Sequence, residues 1–387
     1  MGNIEEIIDS CSGCYLCANI CPQKCIIFKE SKEGFMYPSV DLEKCTNCGI
    51  CLKHCISKET NHNSSEPELY DAAMLNERII KNSASGGISA ALMMDFLKRR
   101  EYVSGAVLDK DLNCRHIVTN SIHDLEKIQG SKYVQSSMKD VYSEIEKKVK
   151  DVLLFIGTPC QVAAIKQYFK VKKIQTKLYT VDILCHGVPS QQFFNKYINE
   201  LKGKYQKRIT SFRFRIKGKK YNRMTSSVIF ADGSHIDKDQ IHCDYLKMYY
   251  SASVYRKSCY TCKYAKFPRI GDLTIGDSFY SEKYSLHKEF NYKNGVSIVS
   301  VNNDKGKELF DLLSNCKKIR EDKTILKYNE NFFKSTPPNK RNPEIIVSEK
   351  SIHELNRIYN PLNLLNKLAY YSSPSIVKTV KKLIRRS

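Results

Sequence analysis

The sequence has no long apolar segment and no recognisable export signal. None of its 387 residues lies in a run that approaches the ~18–20 apolar residues of a membrane-spanning helix. The longest candidates, such as Val152–Ile156, have the length of buried strands. The first six residues, MGNIEE, are acidic and lack the basic and apolar regions of a signal peptide. We therefore expect a cytoplasmic protein whose cysteines stay reduced.

Sequence patterns for nucleic-acid binding and for dinucleotide binding are also missing. There is no RNP motif, no C-x-x-C paired with H-x-x-x-H and no helix-turn-helix pattern, so we expect no nucleic-acid partner. There is no G-x-G-x-x-G run either, which excludes a Rossmann dinucleotide site of the usual kind.

Acidic residues are scarce in comparison with basic ones. The chain has 63 Lys and Arg against 41 Asp and Glu, a net charge of +22, and the excess is unevenly spread. Residues 1–60 carry a net charge of −2, and the remainder carries +24. A lysine-rich solvated surface explains part of this excess. A basic body also favours an acidic electron carrier or an anionic substrate over nucleic acid.

Cysteine, in contrast, is abundant and patterned. Nine of the first 55 residues are cysteines, and eight of them form one C-x-x-C-x-x-C-x-x-x-C run written twice. Three thiolates at this spacing hold one face of an iron–sulfur cubane, and the fourth is positioned for the neighbouring cluster, so the expected pairing is crossed. One cluster would be held by Cys11, Cys14, Cys17 and Cys55, and the other by Cys45, Cys48, Cys51 and Cys21.

Zinc and disulfides explain these cysteines less well. Zinc sites usually combine two C-x-x-C pairs across a long spacer, and disulfides need an oxidising compartment. The first run closes with Pro22, as in bacterial ferredoxins, whereas Ile56 takes that place after the second run without removing a ligand. Residues 1–60 are thus expected to carry two [4Fe–4S] clusters and to transfer single electrons. Cys25, outside the pattern, is interpreted as a packing residue.

Behind a polar stretch at 57–68, strand-like and helix-like segments alternate. This alternation predicts an α/β or α+β body. Strands are predicted at 106–108, 116–119, 152–156, 178–184, 209–216, 226–230, 273–276 and 296–301, and helices at about 88–100, 138–150, 161–169 and 190–201. Near the end of the chain, apolar residues at helical spacing alternate with Lys and Arg between Leu362 and Arg386. Such a basic amphipathic segment either lies on an anionic membrane or docks with its basic face in water.

Four further cysteines are candidates for a second site. Cys160 follows a predicted strand, Cys185 ends the next strand, and Cys259 and Cys262 form a C-x-x-C. Adjacent strand ends of an open α/β sheet converge on one edge, where ligands bind. Scattered cysteines are more often buried small hydrophobes, so spacing alone leaves both interpretations open.

Five separated motifs in this body occur in a familiar order. They are GSKYVQS at 130–136, GTPCQV at 157–162, CHGVPS at 185–190, SCYTCK at 258–263 and DLTIGD at 272–277. Over residues 80–310 the sequence resembles the beta subunit family of coenzyme F-420-reducing hydrogenases and dehydrogenases. The front of the chain resembles the fused two-cluster ferredoxin of its longer members, many of them found beside polysaccharide-assembly enzymes in anaerobic bacteria.

The resemblance implies an FAD and a third [4Fe–4S] cluster in the body, with Cys160, Cys185, Cys259 and Cys262 as the cluster ligands; zinc remains the alternative there. The leftover cysteines are Cys25, Cys114, Cys243 and Cys316. The expected division is a two-cluster domain at 1–60, a linker at 61–75, a catalytic FAD and cluster domain at 76–315, and a basic, partly helical extension at 316–387.

The expected flavin contacts follow the same motifs. Gly86 and Gly87 open a helix whose free N–H groups suit a pyrophosphate, although an ordinary N-cap explains them equally well. Lys132 would neutralise phosphate, and a surface lysine is its plain alternative. His186 is either a proton donor near the flavin or a structural histidine. The full set is Ser85, Gly86, Gly87, Ser131, Lys132, Tyr133, Gln135, Ser136, Thr158, Thr274 and Gly276, with His186 as the catalytic candidate.

The function expected from these features is that of an iron–sulfur flavoprotein oxidoreductase. Electrons would pass between a ferredoxin or similar acidic carrier and FAD, for the two-electron conversion of a deazaflavin or of an organic substrate such as a polysaccharide-pathway intermediate. Two alternatives stay open. One is a non-catalytic subunit that transfers electrons to a partner enzyme (a wiring subunit), and the other is a zinc-rich nucleic-acid-binding protein.

Overall fold

A computed structural model describes residues 2–58, 66–217 and 224–361 of the chain. Within these ranges the strands are β1 (Ile26–Glu30), β2 (Met36–Val40), β3 (Glu68–Met74), β4 (Tyr102–Leu108), β5 (Cys114–Thr119), β6 (Val152–Gly157), β7 (Lys177–Ile183), β8 (Ile209–Lys217), β9 (Met224–Phe230), β10 (His235–Asp239), β11 (Leu273–Asp277), β12 (Ser297–Val301) and β13 (Cys316–Glu321).

The α-helices of the same ranges are α1 (Leu16–Ile20), α2 (Ile50–Lys53), α3 (Glu77–Asn82), α4 (Ile88–Lys98), α5 (Leu125–Ile128), α6 (Val141–Lys148), α7 (Pro159–Lys172), α8 (Gln191–Tyr205), α9 (Asp244–Ser251), α10 (Phe279–Tyr284), α11 (Asp304–Asp311), α12 (Pro343–Val347) and α13 (Ile352–Tyr359). Turns of 3-10 helix lie at Ile4–Ser10, Ile122–Asp124, Lys257–Thr261, Tyr292–Asn294, Lys323–Tyr328, Glu330–Phe332 and Pro338–Lys340. None of the helices in the described ranges is long and apolar enough to cross a bilayer.

An eight-stranded sheet forms the centre of the body, in the order β13-β3-β12-β11-β7-β6-β4-β5. Its four inner strands β11, β7, β6 and β4 are parallel, and the flanking strands pair antiparallel to them. The inner strands β6 and β7 are apolar and almost wholly buried because helices cover both faces, as parallel sheets require. The mixed α/β architecture predicted from the alternation of segments is thus confirmed.

A second, three-stranded antiparallel sheet β10-β9-β8 packs beside the large sheet. Its apolar face joins a core cluster with α8, α9 and α13, where Phe194, Phe212 and Phe214 lie within 5.3 Å of one another between ring centroids. Such aromatic contacts add to the free energy gained by burying these side chains. This sheet and its helices form one side of the cavity described below.

The N-terminal region contains the β1–β2 hairpin and the short helices α1 and α2, and it docks on the body. Tyr15, Leu16 and Ile56 belong to the same apolar core as α6 and α7 of the body. Polar contacts seal the same interface, since the Tyr142 hydroxyl donates to the Cys14 carbonyl at 2.6 Å and the Tyr264 hydroxyl donates to the Ile56 carbonyl at 2.8 Å. The two cysteine-rich parts of the chain are therefore held in fixed contact.

The body is larger than the sequence-based division at 76 and 315. Strand β3 lies within the predicted linker at 61–75 and β13 within the predicted extension at 316–387, yet both are strands of the large sheet. Their pairing joins positions about 250 residues apart, such as Asp71 opposite Ile319, which local composition does not reveal. The predicted amphipathic segment from Leu362 to Arg386 lies outside the described residues.

Candidate functional site

A cavity of about 820 Å³ lies at the carboxyl edge of the parallel strands. Its walls come from the ends of β6, β7 and β11, from the start of α4 and from the segments 130–136 and 258–265. This edge is where open α/β sheets bind their ligands. The volume lies within the range of pockets that enclose a cofactor or drug-sized ligand.

Four cysteines predicted as one ligand set line this cavity together. Cys160 lies in the first turn of α7, Cys185 follows β7, and Cys259 and Cys262 come from the 3-10 turn at Lys257–Thr261 and its end. Burial raises the pKa of the Cys160 thiol to about 11, and the neighbouring Cys262 adds to the shift. Burial likewise raises the pKa of Cys259 to about 12, with Cys262 and Cys160 as further causes. The four thiols thus crowd one poorly solvated spot, where a bound metal would favour their thiolate forms.

The two N-terminal runs lie close together, with thiols of each run beside thiols of the other. Burial is the main reason why the pKa of the Cys14 thiol is raised, and the neighbouring thiols of Cys55 and Cys11 raise it further. In the other half, burial raises the pKa of Cys51, and the contributing thiols are Cys21 and Cys45. Cys55 therefore lies beside the first run and Cys21 beside the second, so each run supplies one thiol to the other.

The cysteine sulfurs are not spaced as ligands of single zinc ions. Within the described residues, no three cysteine Sγ atoms lie within 4.8 Å of one another. A tetrahedral zinc ion with bonds of about 2.3 Å to sulfur holds its ligands about 3.8 Å apart. None of the thiol sets in the described residues therefore has the spacing of a closed tetrahedral zinc site.

One N-terminal set faces the body and the other faces solvent. The electrostatic neighbours that raise the pKa of Cys14 include Cys160 of the body, after burial and the thiols of its own set. Tyr264 lies between them, because after burial it is Cys160 and then Cys14 that raise the pKa of its phenol. At the opposite end of the domain, Cys48 is exposed. The three thiol sets therefore form a series from the protein surface to the cavity.

The start of α4 faces the cavity, but Gly86 itself does not. Gly87 is the N-cap of α4 and adopts a left-handed conformation with φ of 81°. No side chain caps this helix, so the N–H groups of its first turn are left without a capping partner at the cavity. Gly86 is absent from that wall, because its N–H donates to Ser297 Oγ at 3.0 Å and a Cβ there would lie 2.4 Å from the Ala72 carbonyl oxygen. Ser85 lines the cavity with its hydroxyl bonded to the Val296 carbonyl.

The segment 130–136 lines the cavity, although several of its polar groups have partners within the protein. The Lys132 ammonium donates to the carbonyls of Lys127, Ile128, Gln129 and Gly130 at 2.7–3.2 Å, so it caps the end of α5 instead of being free for a phosphate. Burial lowers the pKa of Lys132 to about 8. Gln135 Nε2 donates to the Ser12 carbonyl at 2.9 Å, which ties the segment to the N-terminal domain. Ser131 and Tyr133 lie on the cavity wall.

Three other predicted residues line the cavity, and one does not. Thr158 is the N-cap of α7, with its hydroxyl 3.2 Å from Cys160 Sγ, and Gly276 lies at the end of β11. His186 is exposed to the cavity, and desolvation by the surrounding protein lowers its pKa. Thr274 is fully buried on the other side of its strand, where its hydroxyl binds Asp182 and accepts from Asn302 Nδ2 at 2.9 Å.

Several residues of the site were not predicted from the sequence. His116 and Gln161 bind the two sides of the Ser136 hydroxyl at 2.9 Å each, and Arg215 pairs with Asp277 at 2.7 Å on the cavity wall. Arg256 is buried under the Cys11 loop. The one local signal for Arg256 was its place three residues before the C-x-x-C. His116 and Arg215 have no local signal, because each lies on an ordinary alternating strand.

Comparison with known proteins separates the chain into two recognised regions. Residues 150–325 match the family model that describes the C terminus of the coenzyme F-420 hydrogenase/dehydrogenase beta subunit, and residues 10–58 match a 4Fe–4S dicluster domain. An uncharacterized ferredoxin from Methanocaldococcus jannaschii is 35% identical over 54 residues, which are 13% of this chain and 69% of that protein.

A solved structure, a xenon derivative of the F-420-reducing [NiFe] hydrogenase complex from Methanosarcina barkeri, contains a similar chain. That chain is 16% identical with a TM-score of 0.48, and the match covers 70% of this chain and 90% of that one. The protein is an iron–sulfur electron-transfer protein related to the coenzyme F-420 hydrogenase beta subunit, with a 4Fe–4S dicluster domain at residues 10–58 and a match to the C terminus of that subunit family at residues 150–325.

Proposed function

We propose that this chain is an iron–sulfur flavoprotein oxidoreductase with three [4Fe–4S] clusters and one FAD. The two N-terminal sets, Cys11, Cys14, Cys17 with Cys55 and Cys45, Cys48, Cys51 with Cys21, would hold two clusters. Cys160, Cys185, Cys259 and Cys262 would hold the third, and FAD would bind in the 820 Å³ cavity. FAD supplies the conversion between one-electron and two-electron chemistry when it is bound.

The observation that carries the proposal is the single cavity wall shared by two independent sets of residues. The four body cysteines line it, and so do Ser85, Gly87, Gly130–Ser136, Thr158 and Gly276, which were expected to contact a flavin. The same wall lies behind Cys14, since Cys160 is one of the electrostatic neighbours of that thiol. The residues expected to hold a cluster and those expected to hold a flavin thus surround the same space.

The charge and backbone of the cavity suit an anionic cofactor. Seven Lys and Arg residues line it, against two carboxylates, Asp277 and Glu330. The uncapped first turn of α4 offers N–H donors and the positive end of the helix dipole, which stabilise a pyrophosphate. In this proposal the N–H groups of the first turn of α4, and not the Lys132 ammonium, donate hydrogen bonds to the phosphates.

An aromatic group, Tyr133 stacked on Tyr249 with ring centroids 4.5 Å apart, borders the same space and offers an apolar surface to a planar ring system. Desolvation lowers the pKa of His186, and its ring is the candidate proton donor in the cavity in this proposal. The electron partners in this proposal are a ferredoxin-type carrier at the Cys48 end and a deazaflavin or anionic organic substrate, such as a polysaccharide-pathway intermediate, at the cavity.

The direct test is anaerobic purification of the whole chain, followed by release of the bound flavin and quantification of iron, sulfide and flavin. We expect about one FAD and about twelve iron atoms per chain, from three four-iron clusters. Protein without flavin after anaerobic purification in the presence of excess FAD would contradict the proposal. Bound zinc in a colourless protein would replace it with the zinc-protein alternative.

Activity of the isolated chain separates an enzyme from a wiring subunit. The protein is reduced by dithionite, freed of reductant and mixed with a deazaflavin or with a soluble two-electron acceptor. If the absorbance of oxidised flavin returns at the same rate as the acceptor is reduced, the isolated chain is an enzyme. A flavin that is reoxidised only after a partner protein is added identifies the wiring subunit.

A further inference from the structure

A second group of metal-ligating side chains lies outside the cavity, where β3 and β13 meet the segment after α10. It consists of Asp71, His287 and Glu321, whose ligand atoms all lie within 4.8 Å of one another. Asp71 lies opposite Ile319 and Glu321 opposite Leu69, so the two carboxylates are diagonal neighbours on one face of the sheet. The sheet register therefore fixes two of the three groups, and His287 Nε2 approaches Asp71 Oδ2 at 4.0 Å and contacts Glu321 Oε1.

The buried carboxylate of this group lies beside two serine hydroxyls, but no donor reaches it at full hydrogen-bonding geometry in the described residues. Asp71 is fully buried, and neither of its oxygens has a partner in the part of the chain that the structure describes. A buried ionised carboxylate without donors or a counter-ion is costly. The His287 ring approaches this carboxylate, with Nε2 4.0 Å from Asp71 Oδ2, and it already contacts Glu321.

Two buried hydroxyls supply an independent sign of a ligand. Ser278 Oγ and Ser281 Oγ lie close enough to Asp71 to lower its pKa after burial has raised it, and both side chains are completely buried. Neither hydroxyl has a partner at hydrogen-bonding geometry within the described residues. Buried polar groups are nearly always satisfied, so two such hydroxyls beside an unsatisfied carboxylate indicate a missing partner.

We propose that Asp71, His287 and Glu321 form a structural site for one divalent transition-metal ion, with zinc as the best fit. Imidazole and carboxylate are borderline and hard ligands, and zinc binds more tightly than iron or manganese to such sets. A buried serine hydroxyl or a water molecule completes four-coordination. His287 and Glu321 have side chains that are 23% and 13% exposed, which leaves the ion a route from solvent.

The proposed ion would fix one wall of the cavity. The strands β3 and β13 would be tied to the segment between β11 and β12, and Phe279 of that segment lines the cavity. No cysteine is involved, so the site is chemically distinct from the three thiol sets and does not depend on the proposed function.

The test loads the cluster-containing protein with Zn²⁺, removes loose metal by desalting through a weak chelator, and measures zinc per chain together with zinc K-edge absorption. We expect one zinc per chain with nitrogen and oxygen ligands at about 2.0–2.1 Å and no sulfur shell. A sulfur shell at about 2.3 Å, or less than a tenth of a zinc per chain, would overturn the proposal.

Variants locate the ion. His287→Gln and Glu321→Gln should each lower zinc affinity at least tenfold while iron content stays unchanged. The matched control is His353→Gln, because His353 is an exposed histidine that contacts one carboxylate, Asp244, at 3.1 Å; this variant should keep its zinc. Equal zinc retention in His287→Gln and in the control would also refute the site. If a variant does not fold, the ligand shell measured on the unaltered protein still decides.

Discussion

Arg256 is the side chain that links the Cys11 loop to the body. It is buried, and its Nε donates to the Cys11 carbonyl at 2.6 Å while Nη2 donates to the Met36 carbonyl at 2.9 Å and approaches Cys11 Sγ at 3.6 Å. Its guanidinium also lies over the Tyr37 ring, 4.2 Å from the centroid. Hydrogen bonds and positive charge at a cluster sulfur favour the reduced cluster and raise its potential.

Arg256→Gln should therefore lower the reduction potential of the cluster held by the Cys11 set. The expected shift is roughly 50 mV, close to a tenfold change in the equilibrium constant of a one-electron couple. A redox titration followed by electron paramagnetic resonance measures it. The control is Lys257→Gln, which removes an exposed charge paired with Asp9 at 2.7 Å on the same segment. An unchanged potential, or the same shift in both variants, would contradict this role.

His116 links stability to pH. Its Nε2 lies 3.1 Å from the Ile156 carbonyl oxygen, which can only accept a hydrogen bond, so Nε2–H donates and Nδ1 accepts from the Ser136 hydroxyl at 2.9 Å. Both contacts are satisfied by the neutral ring, and burial lowers the pKa of His116 to about 4. The unfolded chain binds a proton below about pH 6.5, so the free energy of unfolding falls as the pH is lowered from 6.5 towards 4.

Comparison with His116→Gln isolates this effect. The free energy of unfolding of both proteins is measured with denaturant at pH 7.5 and at pH 5.5. The difference between the unaltered protein and the variant should be about 1.4 kcal/mol less favourable to the unaltered protein at pH 5.5. Because both proteins carry the same clusters, acid damage to the clusters cancels in the difference. A pH-independent difference would show that His116 binds its proton equally in the folded and unfolded states, and would contradict the lowered pKa.

At the scale of elements, β3, β12 and the start of α4 pack closely at Gly86, which lies between the cavity-lining residues Ser85 and Gly87. A Cβ on Gly86 would lie 2.4 Å from the Ala72 carbonyl oxygen and 2.7 Å from the Ser297 backbone nitrogen. Both atoms belong to strand backbones that are paired with each other, so neither moves freely. Gly86 is therefore required for the approach of α4 to the sheet.

Gly86→Ala should lower the free energy of unfolding by about 1–3 kcal/mol and reduce flavin binding, because the strands must separate to admit the methyl group. The control is Gly203→Ala in α8, where a Cβ would meet nothing within 4 Å. That change should stabilise the protein by roughly 0.4–1 kcal/mol. Thermal unfolding of both variants gives the comparison, and equal behaviour would refute the packing argument.

The sequence predicted the elements whose signals are local. Cys160 and Cys185 each follow a predicted strand. Because neighbouring parallel strands end at the same edge of a sheet, the proximity of these two cysteines was predictable. Strand β3 was not predicted, because Asp71 interrupts its apolar pattern and its partners lie more than 200 residues away. The role of Lys132 was also hidden, since only the fold shows its ammonium at the end of α5.

At the scale of the whole molecule, the three thiol sets connect a solvent-facing end to the enclosed cavity. Cys48 is exposed at the outer end, and Lys24 and Lys53 flank the same set on the surface. Although residues 1–60 carry a net charge of −2, these two exposed lysines provide local positive charge for an acidic carrier beside the Cys45 set. We therefore expect electrons to enter or leave through the Cys45 set.

Charge reversal tests this entry point. Lys24→Glu combined with Lys53→Glu should slow reduction by an acidic ferredoxin several-fold at low ionic strength, and the difference should vanish in high salt because exposed charges are screened. Stopped-flow mixing measures the rate constants. Lys202→Glu combined with Lys204→Glu on the exposed side of α8 is the control. Equal slowing by the control pair would place the carrier elsewhere.

The most direct measurement of the central claim is the iron content of Cys160→Ala after anaerobic cluster assembly. We predict about twelve iron atoms per chain in the unaltered protein and about eight in the variant, with FAD retained in both. Cys316→Ala, which alters a buried cysteine of β13 in another core cluster, should keep about twelve. Equal iron in Cys160→Ala and the unaltered protein would contradict a third cluster at the cavity and, with it, the proposed path of electrons to the flavin.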